Sequence, residues 1–154
     1  MKLEQEIKQN KFKDAYHKLR VNILYTSNWM GHQYSKDLKK FGISIEKFNV
    51  LQILRVQYPN PSTINFLVDR LLNKMSNASR LVEKLKKKRL VERDVNEGDG
   101  RARDVLITQE GLALLKKLDK LEEKWIKNFS HLSENEIEKI NDLLDMLRKQ
   151  FPSI

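Results

Sequence analysis

From Phe12 onward, apolar residues recur at Phe12, Tyr16, Leu19, Ile23 and Met30 on a four-three spacing, with Thr26 in the gap. That period of 3.5 predicts a long helix with one apolar seam. Gly42 breaks the pattern, and Ser44 is placed to cap a second helix whose buried face is Ile45, Phe48, Leu51 and Leu54. Tyr58-Pro59-Asn60-Pro61 ends it, because proline lacks the N–H donor and restricts the residue before it. Ser62 is then the expected cap of a short third helix with Ile64, Leu67, Val68 and Leu71 on one face. After the break at Leu72-Asn73-Lys74 a fourth helix begins near Ser76. Its apolar stripe is Ala78, Leu81, Val82 and Leu85, while Asn77, Arg80, Lys84 and Lys87 share another face at three- and four-residue intervals.

The periodicity then changes. Residues 90–95 and 103–108 read as two short strands, joined by the Gly/Asn/Asp cluster Asn96-Glu97-Gly98-Asp99-Gly100 that suits a hairpin turn. Beyond Thr108 the helical spacing returns at Leu114, Leu118, Leu121, Trp125 and Phe129, ending at Ser130-His131. Ser133-Glu134-Asn135-Glu136 has the form of a capping box, and Ile137, Ile140, Leu144, Leu147 and Phe151 make a third seam closed by Pro152. The expected fold is mainly α with a small β-hairpin, an α+β arrangement. Three helices followed by a hairpin is the element order of a winged helix-turn-helix. The division this implies is 1–40 for an N-terminal helical region, 41–109 for the winged helix and 110–154 for the C-terminal helices.

Composition narrows the function. In 154 residues there are 5 glycines and 3 prolines, with 40% hydrophobic and 33% charged residues, so the chain is a folded, charged, helix-rich protein. The N-terminal MKLEQEIKQNKFKD has no apolar segment of a signal peptide, and the cytoplasm is the expected compartment. With no cysteine, thiolate metal sites and thiol redox sensing are excluded. The net charge of +9 favours a polyanionic partner, and residues 70–103 alone hold +6 of it, with eleven basic against five acidic side chains.

Placed on the expected elements, these charges sit where a duplex reader needs them. Ser76, Asn77, Ser79 and Arg80 lie at the start of the fourth helix, where Arg can pair bidentately with guanine and Asn with adenine. Lys74, Lys84 and Lys87, with Lys88, are compact charges suited to phosphates. Arg101 and Arg103 flank the hairpin tip, and a narrow minor groove favours an inserted guanidinium.

Asp99-Gly100-Arg101, followed by Val105, Ile107, Thr108 and Gly111, resembles the D-x-R-x-x-x-V-x-L-T-x-x-G signature of the MarR family of bacterial transcription regulators. Residues 79–85 (SRLVEKL) and 90–93 (LVER) resemble its recognition helix and first wing strand. The resemblance implies a homodimer whose long terminal helices interlock, binding a pseudo-palindromic double-stranded DNA site as a repressor at the nucleoid. It also implies that Asp99 orients the wing arginine and that Arg101 enters the minor groove. One departure is Arg89, which stands where the family usually has glycine. A left-handed backbone there costs about 1 kcal/mol relative to glycine.

Other readings stay open beside this one. Tyr25, Trp29 and His32, spaced i, i+4, i+7, form either one wall of a small-molecule effector pocket or ordinary aromatic packing. The three histidines lack the spacing that places two ligands on one helical face, so no metal site and no cofactor are expected. No nucleophile elbow or phosphate-cradling glycine loop occurs, and no enzyme is expected. The alternative from another class is a dimeric winged-helix module that docks an acidic protein partner through Lys86-Lys87-Lys88-Arg89. No membrane partner is expected.

Overall fold

The computed structural model describes residues 2–95 and 103–149. The chain divides into two compact units, Met1–Ile45 and Glu46–Ile154. Within the first, a short helix α1 (Leu3–Glu6) precedes a long helix α2 (Ala15–Lys39). The spacing of apolar residues suggested a helix from Phe12, but α2 starts later. Asp14 is its N-cap, accepting from the His17 N–H at 2.7 Å, and the cap overrides the apolar residue two positions earlier. Phe12 instead lies edge-on to the His17 ring.

Two polar ties fasten α1 to α2. Lys18 Nζ meets Glu4 Oε1 at 2.5 Å, and this bond holds the Glu4 carboxyl below the usual carboxylate range. The Tyr25 hydroxyl donates to Glu6 Oε2 at 2.8 Å, which pushes the phenol above its ordinary value. At the far end of α2, Gly42 adopts φ 68° and its N–H returns to the Lys39 carbonyl, so the expected break is a left-handed cap.

The second unit begins within α3 (Ile45–Gln57), which buries Phe48, Val50, Leu51 and Leu54. It continues through α4 (Ile64–Arg70), α5 (Ala78–Lys87), the strands β1 (Val91–Val95) and β2 (Arg103–Ile107), and the helices α6 (Gln109–Lys127) and α7 (Glu134–Arg148). The expected element order is therefore present. The strands are antiparallel, with Val91 opposite Ile107 and Arg93 opposite Val105. Buried Leu67, Leu71, Ala78, Val82, Leu85, Val91, Val105, Ile107, Leu115 and Leu118 complete the core of this unit. Val68, expected on the inner face of α4, is 39% exposed.

One cap differs from expectation. Ser62 does not start α4; Thr63 does, its hydroxyl accepting from the Phe66 N–H at 3.1 Å. Ser62 is buried and exchanges both backbone hydrogen bonds with Val105, at 2.9 and 2.8 Å. Its backbone anchors the hairpin to the segment before α4, a long-range pairing that takes precedence over a local cap.

Candidate nucleic-acid interface

The helix α5 is positioned at both ends by backbone chemistry. At its N-terminus Asn77 is the cap, with Oδ1 accepting from the Arg80 N–H at 2.9 Å. The turn before it is held by two further asparagines. Asn49 on α3 accepts from the Leu72 N–H at 2.9 Å, and Asn73 accepts from the Met75 N–H at 3.1 Å.

At the C-terminus of α5 the Arg89 N–H returns to the Lys86 carbonyl at 2.8 Å, and the Leu90 N–H returns to the Leu85 carbonyl at 3.1 Å. This pair of bonds is a Schellman cap, and it requires a left-handed residue between them. Arg89 supplies it at φ 59°, so the backbone here is the one that ordinarily selects glycine. The next helix is fastened to the same place. Thr108 caps α6 by accepting from the Gly111 N–H at 3.1 Å, while its hydroxyl donates to the Arg89 carbonyl at 2.8 Å.

With its ends fixed, α5 buries Ala78, Val82 and Leu85 and turns Arg80, Lys84 and Lys87 to solvent. Ser76 and Ser79 are half-buried beside them, and Asn77 is exposed. The structure thus brings Asn77, Arg80, Lys84 and Lys87 onto or beside one presented surface. Lys74 is exposed but turned back, its Nζ donating to the carbonyls of Asp69 at 2.5 Å and Val68 at 3.4 Å. It satisfies carbonyls at the end of α4. Arg103 opens β2. Asp99 and Arg101 lie outside the described residues.

Sequence reasoning missed one member of this region. Arg93 is one of the eleven basic residues counted between 70 and 103, but its side chain is 12% exposed and its guanidinium donates to Glu83 Oε1 of α5 at 2.5 Å. The pair ties β1 to α5. A Glu and an Arg ten residues apart, on two different elements, carry no local signal of contact. On the N-terminal helix, Trp29 is 51% exposed and His32 is exposed, whereas the Tyr25 hydroxyl is engaged by Glu6. Among the described residues no three His, Asp or Glu side chains gather as metal ligands, and no helix is long and apolar enough to cross a membrane.

Comparison with known proteins bears on this geometry directly. A model described as the MarR family matches residues 41–102, the stretch that contains α3, α4, α5 and β1. Over that stretch the chain carries the sequence pattern of the MarR family. The chain is 26% identical to the HTH-type transcriptional repressor IacR of Pseudomonas putida over 129 residues, 83% of this chain and 73% of IacR. The crystal structure of the S. aureus MepR–DNA complex matches this chain with a TM-score of 0.78 at 22% identity, over 92% of this chain and 100% of that one. The organohalide-sensing regulator RdhR-CbdbA1625, in its 2,4-dichlorophenol-bound form, matches at 0.80 and 18% identity, over 92% and 86%. These structures share the fold.

Proposed function

We propose that this protein is a regulator of the MarR type, a homodimeric repressor that occupies a pseudo-palindromic site in double-stranded DNA and is released by a small molecule. The observation that carries the reading is α5: one face is locked into the core while Arg80, Lys84 and Lys87 stand exposed on another, beside a capped N-terminus. A helix held this way enters a major groove with its first turns toward the base edges. In this reading Ser76, Asn77, Ser79 and Arg80 face bases and Lys84 and Lys87 face phosphates. Lys74 reaches a phosphate only by leaving the end of α4. Arg101, oriented by Asp99, enters the adjacent minor groove with Arg103 beside it. The protein acts in the cytoplasm, at the nucleoid.

Dimerisation follows from the terminal helices, 1–40 and 110–154. Among its described residues α7 buries none, and Ile137, Ile140, Leu143 and Met146 are 37 to 61% exposed. Tyr16, Leu19, Leu24 and Trp29 of α2 are likewise open to solvent. Apolar seams of this length call for a partner. A second copy supplies it with twofold symmetry and sets two α5 helices about one DNA turn apart. The effector acts by binding the DNA-incompetent spacing more tightly, a population shift. The face of α2 that carries Tyr25, Trp29 and His32 supplies one wall of its site. RdhR-CbdbA1625 with dichlorophenol and the name of IacR support this reading by likeness.

The test is fluorescence anisotropy at about 150 mM salt, with a duplex from upstream of the protein's own gene against a scrambled duplex of equal composition. A preference of about a hundredfold or more supports the reading. Equal binding to every duplex from that region and to the scrambled one leaves only a basic surface and refutes it.

A further inference from the structure

The turn that leads into α5 sets two large apolar side chains on an otherwise cationic surface. Met75 is 86% exposed and Leu72 is 82% exposed. Neither lies on a loose segment. The Leu72 N–H is held by Asn49, the Met75 N–H by Asn73 Oδ1, and the Ser76 N–H by the Asn73 carbonyl at 3.1 Å. Lys74, the cation between them, is committed to the carbonyls of Val68 and Asp69. The leading edge of the helix is therefore apolar at Met75, polar at Ser76 and Asn77, and cationic at Arg80.

That order of chemistry has a counterpart. The cations call for a polyanion, and the one apolar group that a duplex offers on its major-groove edge is the C5-methyl of thymine. A methionine suits such a contact because its unbranched, polarizable thioether adapts to a small methyl without demanding a hydrogen bond. Met75 lies two residues before the cap of α5, so it travels with the N-terminus into whatever that helix enters. We infer that Met75 reads a thymine methyl in each half-site, a specificity contact made by packing rather than by hydrogen bonding. This rests on the reading of α5 as the helix in the major groove.

The experiment starts from the duplex that the protein prefers. Each thymine of one half-site is replaced in turn by deoxyuridine, which removes the methyl and keeps every hydrogen-bonding group. At one thymine the wild-type protein should bind about fourfold more weakly, the effect of losing one packed methyl. Met75→Ala should abolish that difference and Met75→Leu should keep it, both with the circular dichroism and solution mass of the parent. Indifference to deoxyuridine at every position, or a loss that persists in Met75→Ala, overturns the inference while the DNA reading stands. A changed solution mass for Met75→Ala assigns the patch to a second copy and also overturns it. No preference for any duplex overturns both readings.

Discussion

The Arg89 carbonyl accepts the Thr108 hydroxyl at 2.8 Å while its own backbone sits at φ 59°. One non-glycine residue in a left-handed conformation thus joins the end of α5, the start of the hairpin and the cap of α6. The side chain has a Cβ where the backbone favours none.

Arg89→Gly should therefore raise the unfolding free energy by about 1 kcal/mol, read by urea denaturation. Arg89→Ala keeps the Cβ and should show no such gain. Equal stabilisation by both would trace the effect to the lost charge instead of the backbone.

Much of this fold was legible in the chain because its signals are local. The stripe of α5, the two strands, the capping box at Ser133 and the break at Gly42 each follow from residues within one or two turns of each other. Gly111 is a further case. A Cβ there would lie 2.3 Å from the Leu90 carbonyl oxygen and 2.7 Å from Ile107 Cγ1, which is the physical reason for the spacing Thr108-x-x-Gly111. What was not legible depends on partners distant in sequence. Ser62 gives up its capping place because Val105 takes its backbone, Arg93 leaves the basic surface because Glu83 takes its guanidinium, and Lys74 folds back onto α4. A count of charges sees three cations or caps there; the fold spends them on itself.

The proposed reading divides the exposed face of α5 into base readers and phosphate anchors. Arg80→Ala should weaken binding to the preferred site by about 1 to 3 kcal/mol and relax preference at one position per half-site. Lys87→Ala should weaken all duplexes alike and flatten the salt slope by about one. Anisotropy titrations at several salt concentrations on preferred and scrambled duplexes distinguish them; equal losses for Arg80→Ala on both would remove it from the base readers.

The pair between Glu83 and Arg93 makes a prediction about stability. A double-mutant cycle with Glu83→Gln and Arg93→Met should return a coupling of about 0.5 to 1 kcal/mol, since one partner is half-exposed and screened. A coupling near zero would mean that β1 is held to the helix by Val91 and the strand pairing alone.

Acid should loosen the start of α7. The Ser133 N–H, and then its hydroxyl, bonded to Glu136 Oε2 at 2.8 Å each, hold the Glu136 carboxyl below the usual carboxylate range. A lowered pKa in the folded state means that the cap is fully present above the ordinary carboxylate pKa and is lost as pH falls through the lowered value. Amide chemical shifts of residues 133–137 should hold as pH falls to the ordinary carboxylate range and move only below it. In Glu136→Gln, whose amide oxygen still accepts, the step should vanish; an unchanged step would assign it to another group.

The backbone pairing of Ser62 with Val105 has a consequence for how the protein behaves in a crowded solution. A two-stranded ribbon presents two open edges, and each is a template on which a strand of another chain can grow. Val105 is the middle residue of β2, so the bridge occupies that edge at its centre and leaves no uninterrupted row of donors and acceptors. The other edge, β1, carries the exposed Glu92, a charge that an incoming strand would have to accommodate. The hairpin is thereby guarded against self-templating on both sides, by a backbone on one and by charge on the other.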